Sequence, residues 1–272
     1  MKEKIISGTK EWAVKNYNIL SGCSHDCKYC YAKSMAIRFK RKTADTWKEE
    51  DLLQEAYSKK VGKAKGQVMY PSSHDITPKH LYRHTDFIHK LIIAGNDILI
   101  VSKPHFECIK EICECIKEIC DIDNSYKNKE KILFRFTIGS ANNSVLKLWE
   151  PGAPSFEERL KSLKYAFDNG FKTSVSCEPM LDNHIDEVVD QVYPYVTDAI
   201  WLGNLNQAKA RLNFNGCSEE MKESMEQLLE WQNEERTKNL YNRYRKNSKI
   251  KYKESIKKIV GLDTADASGL DI

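Results

Sequence analysis

Cys23-Ser-His-Asp-Cys27-Lys-Tyr-Cys30 sets three thiols four and three residues apart, with an aromatic residue, Tyr29, directly before the last. A [4Fe–4S] cluster has four irons and normally takes four thiolates. A tight loop that offers three leaves one iron open to another ligand. Zinc is the competing occupant, but it wants four closed ligands, usually two Cys pairs or a Cys pair with a His pair. No second C-x-x-C or H-x-x-x-H follows in this chain. His25 lies between two of the thiols and is poorly placed to complete the same tetrahedron.

The setting agrees with such a loop. Nine cysteines in 272 residues, without an export signal, argue for a reducing compartment rather than a disulfide framework. The first residues, MKEKIISGTKEW, carry no apolar h-region, and no apolar stretch approaches the ~18–20 residues that span a bilayer. A cytoplasmic protein without a membrane partner is expected. The net charge of +4 is too mild to specify a partner.

Outward from the loop, short apolar β-rich runs alternate with longer helical patterns, which predicts an α/β fold with a parallel sheet. Strands are expected near 16–21, 66–70, 97–101, 131–138, 171–177 and 198–203, and helices near 32–60, 79–94, 105–121, 156–169 and 183–195. In a parallel α/β fold the ligand site lies at the carboxyl ends of the strands. The cysteine loop follows the first strand and falls at that end.

Two strands carry charge inward. In 131–138 the alternation sets Phe134, Phe136 and Ile138 against Arg135 and Thr137; in 171–177 it sets Val175 and Cys177 against Ser174, Ser176 and Glu178. Buried charge is costly unless paired or used, so Arg135 and Glu178 are candidate catalytic residues. A mutual structural salt bridge is the plainer alternative.

The helix at 105–121 repeats Glu-Cys-Ile-Lys-Glu-Ile-Cys at 107–113 and 114–120. At ~100° per residue, Cys108, Ile109, Ile112, Cys113, Cys115, Ile116, Ile119 and Cys120 fill an arc of about 160°. These cysteines read as small buried hydrophobes; a second cluster is the alternative.

From about residue 237 the composition turns basic, with Lys238, Arg243, Arg245, Lys246, Lys249, Lys251, Lys253, Lys257 and Lys258 interleaved with Tyr241, Tyr244 and Tyr252. The simpler expectation is a solvated helix packing its Tyr and Ile on the core. The same composition also suits single-stranded nucleic acid. The end, 264–272, is expected to fray. The predicted division is an α/β domain over 1–215 and a helical basic extension over 216–272.

The cysteine loop with its aromatic resembles that of the radical S-adenosylmethionine (SAM) enzymes. Beyond the loop, Gly22 through Ala32, Tyr70-Pro-Ser-Ser-His-Asp-Ile76, Ser102-Lys103, Arg135-Phe-Thr-Ile-Gly-Ser140 and Glu150-Pro-Gly-Ala-Pro with Glu158-Arg159-Leu160 resemble the branch that includes spore photoproduct lyase. The similarity runs from about Tyr17 to Gly203. It implies a partial (β/α)6 TIM-like barrel. It further implies a [4Fe–4S] cluster on Cys23, Cys27 and Cys30, and SAM as second cofactor. Tyr29 would lie against adenine, and Ser72, Ser73 and Asp75 would receive the ammonium of SAM. Lys103, with Arg135 nearby, would meet its carboxylate, and Thr137 or Ser140 its ribose. An electron donor such as flavodoxin or ferredoxin is implied as well. The lyases carry a hydrogen-donating cysteine where Ser72 stands, and a Ser O–H bond is too strong for that task, so lyase chemistry is not expected.

Two functions are consistent with these readings. The first is a radical SAM enzyme that abstracts hydrogen from a small metabolite or a nucleotide. The second is a non-catalytic iron–sulfur or zinc protein whose basic C-terminal part binds nucleic acid.

Overall fold

The computed structural model describes residues 6–122 and 129–270. Seven parallel strands form one sheet in the order β1 (Lys15–Asn16), β4 (Val68–Tyr70), β5 (Ile98–Ser102), β6 (Ile132–Thr137), β7 (Lys172–Cys177), β8 (Ile200–Leu202) and β9 (Ile250–Tyr252). The remaining two strands, β2 (Leu20–Ser21) and β3 (Asp51–Leu52), make a short antiparallel ladder. Helices α3 (Leu81–Ile93), α4 (Phe106–Ile122), α6 (Phe156–Asp168) and α7 (Ile185–Val192) connect successive sheet strands. The result is an α/β fold of partial TIM-barrel type.

The strands form because both of their faces are buried. Every residue of β6 is buried, Phe134 and Phe136 toward the helices and Arg135 toward the lumen. Helix starts follow local chemistry: Ser155 caps α6 by accepting from the Glu158 N–H (3.3 Å), and Asn142 caps α5 (Asn143–Trp149) by accepting from the Ser144 N–H (2.9 Å).

Three expectations are corrected. The first predicted strand, 16–21, is split: Asn16 pairs with Met69 of β4, whereas Leu20 pairs with Leu52 of β3. The predicted helix over 32–60 is broken into α1 (Tyr31–Arg38) and α2 (Gln54–Ser58). Lys40 ends the first piece in the left-handed region (φ 55°), and Thr43 and Thr46 cross-bond in the next turn. The end does not fray as far as it is described: the Gly269 N–H donates to the Lys10 carbonyl (2.9 Å), and Ala265 is buried. Residues 271–272 lie outside the described residues.

The basic stretch is woven into the fold. After α8 (Ala208–Phe214), α9 (Glu219–Trp231) and α10 (Glu234–Tyr244), it supplies β9, whose Ile250 and Tyr252 are buried, and then α11 (Glu254–Val260). Lys249 donates to the Val196 carbonyl (2.8 Å), and Lys251 lies over the Trp201 ring. Lys238, Lys258 and Arg243 pair with Glu234, Glu254 and Asp186. The basic charge is thus largely tied to the protein's own acids and carbonyls.

Below the strand ends the lumen is filled. Trp12 and Trp201 meet edge-on at 5.6 Å between ring centroids, and the Arg135 guanidinium lies 4.6 and 5.2 Å from the two rings. Met69, Leu99 and Leu133 complete this buried layer. No helix among the described residues is long and apolar enough to cross a membrane.

Candidate active site

At the carboxyl ends of the strands lies a cavity lined by Cys23, Cys27 and Cys30, by Tyr29, by Ser72 to Asp75, and by Lys103, Thr137 and Glu178. Tyr31, beside Cys30, also lines it, as do Asn204, Asn206 and Arg211.

The cysteine loop is held from behind by backbone contacts. The Cys23 N–H donates to the Trp47 carbonyl (2.9 Å), the Lys28 N–H to the Trp149 carbonyl (2.8 Å), and the Gly152 N–H to the His25 carbonyl (3.0 Å). A Cβ at Gly152 would collide with the Ser24 carbonyl, so glycine is required by the close approach. The Tyr29 hydroxyl donates to Glu150, and Glu150 pairs with Arg159 at 2.6 Å with both side chains fully buried. Arg159 also donates to the carbonyls of Pro154 (2.9 Å) and Thr137 (3.2 Å). One guanidinium thereby ties the turn at 149–154 to β6, and that turn to the cysteine loop.

The donor set fits a cluster. All three thiols are free, sit on one loop and face one cavity. The Lys33 N–H points at the Cys30 sulfur (3.3 Å), a contact that favours thiolate. Burial pushes all three thiols up; a bound cation reverses that, because a coordinating thiol is deprotonated. Cys217 approaches from outside, its Sγ 3.8 Å from the Lys28 carbonyl, and does not line the cavity.

A second set of donor atoms lies alongside. Cys23, His25 and Asp75 offer ligand atoms within 4.8 Å of one another. The His25 ring is already engaged on both sides, Nδ1 with Asp75 (3.0 Å) and Nε2 with His105 (3.0 Å). His105 in turn faces Glu158 at 3.6 Å.

The wall formed by the loop after β4 is built by Asn18, whose Oδ1 accepts from the N–H groups of Ser72 (2.7 Å) and Ser73 (2.8 Å). Asp75 accepts from the Lys103 N–H (2.6 Å) and the Ser102 hydroxyl (3.0 Å), and pairs with the Lys103 ammonium at 3.4 Å. Burial alone would raise the Asp75 carboxyl and lower Lys103. Lys103 and His25 hold Asp75 well below its usual range, and Asp75 with Cys27 holds Lys103 well above its own. Both stay charged. Burial lowers His74 to about 4, and its Nε2 accepts from the Ile19 N–H (3.1 Å) as a neutral ring.

The structure brings Tyr29, Ser72, Ser73, Asp75, Lys103, Thr137 and Glu178 around one cavity with the three cysteines. Arg135 and Ser140 stand apart from its lining. Arg135 donates to Ser174 (2.9 Å) and pairs with Asp198 at 3.0 Å in the layer below. Ser140 donates to Asp182 and accepts from the Asn142 N–H (2.8 Å). Glu178 is backed by Lys253, at 3.6 Å, and this buried lysine also pairs with Glu11 at 3.2 Å. Sequence reasoning misses Asn18, Glu150, Arg159, His105, Lys253, Asn204 and Arg211 as residues that build the site. Only Glu150 and Arg159 leave a signal, in the stretches Glu150-Pro-Gly-Ala-Pro and Glu158-Arg159-Leu160.

The helix thiols are elsewhere. Cys108 and Cys113 are buried among Ile109, Ile112 and Ile116, while Cys115, at the edge of the arc, is half-buried and lies 3.8 Å from Glu111. Cys108 and Cys115 stand about 10.5 Å apart along an intact helix, too far for one cluster. Replacing Cys108, Cys113, Cys115 and Cys120 by Ala or Val is expected to lower stability while keeping about four irons per chain. A fall from about eight irons to four, read by iron analysis of reconstituted protein, would show an auxiliary cluster here.

The sequence matches the Radical SAM superfamily over residues 17–193, more than half of the chain. The chain belongs to that superfamily. Among solved structures, a point mutant of spore photoproduct lyase is similar at TM-score 0.50 and 17% identity, over 79% of this chain and 63% of that one. Streptococcus suis SuiB bound to S-adenosylmethionine is similar at TM-score 0.53 and 10% identity, over 94% of this chain and 54% of that one. The chain thus spans under two thirds of either neighbour, and at these identities the likeness is one of fold. No curated protein matches the sequence.

Proposed function

We propose that Cys23, Cys27 and Cys30 hold a [4Fe–4S] cluster, that SAM lies between their loop and the Ser72–Lys103 wall, and that an organic substrate gives up a hydrogen atom in the same cavity. The observation that carries this reading is the meeting of three free thiols with the buried, charged Asp75–Lys103 pair on one cavity at the strand ends. A cluster held by Cys23, Cys27 and Cys30, and reduced by a donor such as flavodoxin or ferredoxin, would supply the electron for reductive cleavage of SAM.

The residues around it bind and orient. Lys103, held charged, suits the methionine carboxylate, and the Ser72–Asp75 segment suits its ammonium. The Tyr29 ring, fixed through Glu150, offers a face to adenine, and Thr137 a hydroxyl to ribose. Glu178, at the end of β7, orients a polar substrate group or moves a proton. Lys253 holds its carboxylate from behind. Arg135, one layer down, supports the floor. The related structures carry different ligands: a double mutant of spore photoproduct lyase holds AdoMet and a dinucleoside spore photoproduct, and SuiB is also seen with the precursor peptide SuiA. A small metabolite or a nucleotide is the substrate class proposed here. Ser72 in place of a thiol turns the chemistry away from photoproduct repair.

The test is anaerobic. Reconstituted, reduced protein is expected to convert SAM to 5′-deoxyadenosine. A colourless protein with one zinc and no such product would favour the competing reading, a non-catalytic zinc protein whose basic C-terminal part binds nucleic acid. Changing Lys103 to Ala is expected to weaken SAM binding by roughly 1.5–3 kcal/mol, the scale of a hydrogen bond to a charged group, with iron content unchanged. Equal SAM affinity in the two proteins, measured calorimetrically, would remove Lys103 from the cofactor site.

A further inference from the structure

The side of the cavity formed by Tyr31, Asn204 and Arg211 carries two buried polar groups that the protein does not serve. Arg211, on α8, stacks its guanidinium over the Tyr31 ring with Cζ 5.6 Å from the centroid. Its Nε is buried and has no hydrogen-bond partner among the described residues. A guanidinium remains protonated even where burial disfavours it. A buried donor on a permanent cation left unpaired is costly. After burial, the groups that act on it most are Glu178, which is paired with Lys253, and then Cys30.

A second unserved atom lies on the same segment after β8. Asn204 is buried, and its Oδ1 has no partner among the described residues, whereas its Nδ2 donates to the Thr237 hydroxyl (3.1 Å). Thr237 spends its own proton on the Gln232 carbonyl (3.3 Å), so it accepts from Asn204, which fixes the amide with its oxygen left over. By contrast Asp75 and Lys103 serve each other, Asn18 holds Ser72, and Tyr29 is bound to Glu150.

We infer that this wall recognises the substrate, through a carboxylate or phosphate that meets Arg211 and a hydroxyl or amino donor that meets Asn204. The inference rests on the reading that the carboxylate of SAM takes Lys103. Lys103 follows β5 and Arg211 lies beyond β8, three strand spacings along the sheet, or about 14 Å before curvature. A methionine carboxylate held at Lys103 leaves the second cation to another ligand. The planar fork of arginine suits two oxygens of one anion. Substrates without an anionic group are disfavoured, because they would leave the buried Nε of Arg211 unpaired.

The probes are radiolabelled inorganic phosphate and acetate, in equilibrium dialysis at low ionic strength against reconstituted, SAM-loaded protein without reductant. One of the two is expected to bind saturably at about one per chain; which one it is separates phosphate from carboxylate recognition. Arg211→Gln should weaken that binding at least about tenfold, Arg211→Lys less, while SAM affinity moves less than about threefold. Three outcomes overturn the inference: no saturable binding of either anion, equal binding in Arg211→Gln, or a loss of SAM affinity as large as that of the anion. Arg211→Lys, which keeps the charge, guards against misreading a folding defect. If wild-type protein binds the anion but fails to cleave SAM once reduced, the radical reading falls and the anion site stands.

Discussion

Replacing Cys23, Cys27 and Cys30 together by Ala is expected to abolish both iron binding and SAM cleavage. The three thiols share one loop and one cavity, and the other cysteines cannot substitute for them. Cys108 and Cys113 are buried among helix-side isoleucines, Cys177 is buried on the helix side of β7, and Cys217 contacts the loop only through a backbone carbonyl. Iron analysis and product assay of the anaerobically reconstituted variant decide the matter. A triple variant that still holds about four irons per chain would sink the assignment.

Changing Arg159 to Met is expected to cost about 3–5 kcal/mol of folding stability, the cost of removing one partner from a buried ion pair. Glu150 and Arg159 are both fully buried, and Arg159 also serves two carbonyls. Methionine fills much of the volume but leaves the Glu150 charge and both carbonyls unserved. Denaturant unfolding of cluster-free protein, followed by circular dichroism, measures the loss. If stranded charge is the cause, adding Glu150→Gln should cost less than the sum of the single changes. A loss below about 1 kcal/mol for Arg159→Met would show that the pair does not brace the cysteine loop.

Strands buried on both faces read as apolar runs, which is why β5, β6 and β7 could be placed from sequence within about two residues. The seventh strand of the sheet, β9, could not. Its Ile250 and Tyr252 alternate with Lys249, Lys251 and Lys253, and a run of lysines reads as a solvated surface. The long stems of these lysines carry their charges to a carbonyl, a tryptophan face and buried acids instead. Period-two alternation correctly turned Arg135 and Glu178 to the lumen, but it gives the face of a strand and not the depth. Arg135 pairs in register with Ser174, well below the strand ends, and so meets the floor; Glu178 follows the last residue of β7 and meets the cavity.

The cysteine loop was legible because its ligands are adjacent in sequence. Its supports were not. Tyr29 and Glu150 are 121 residues apart, and His25 and His105 are 80 apart. No local pattern pairs such residues before the fold does. Arg211 gave no signal for a different reason: a single arginine on a short polar helix looks like any solvated arginine until the cavity beside it is seen.

The layer of Trp12, Trp201 and Arg135 beneath the strand ends gives the cavity a solid floor. Tyr31, Asn206 and Arg211 line the cavity above it. The fit of a substrate is therefore governed by loops and one short helix, whereas the sheet and its tryptophan base carry the load of staying folded. Such a division lets the lining be rebuilt for another molecule while the floor below is left as it stands.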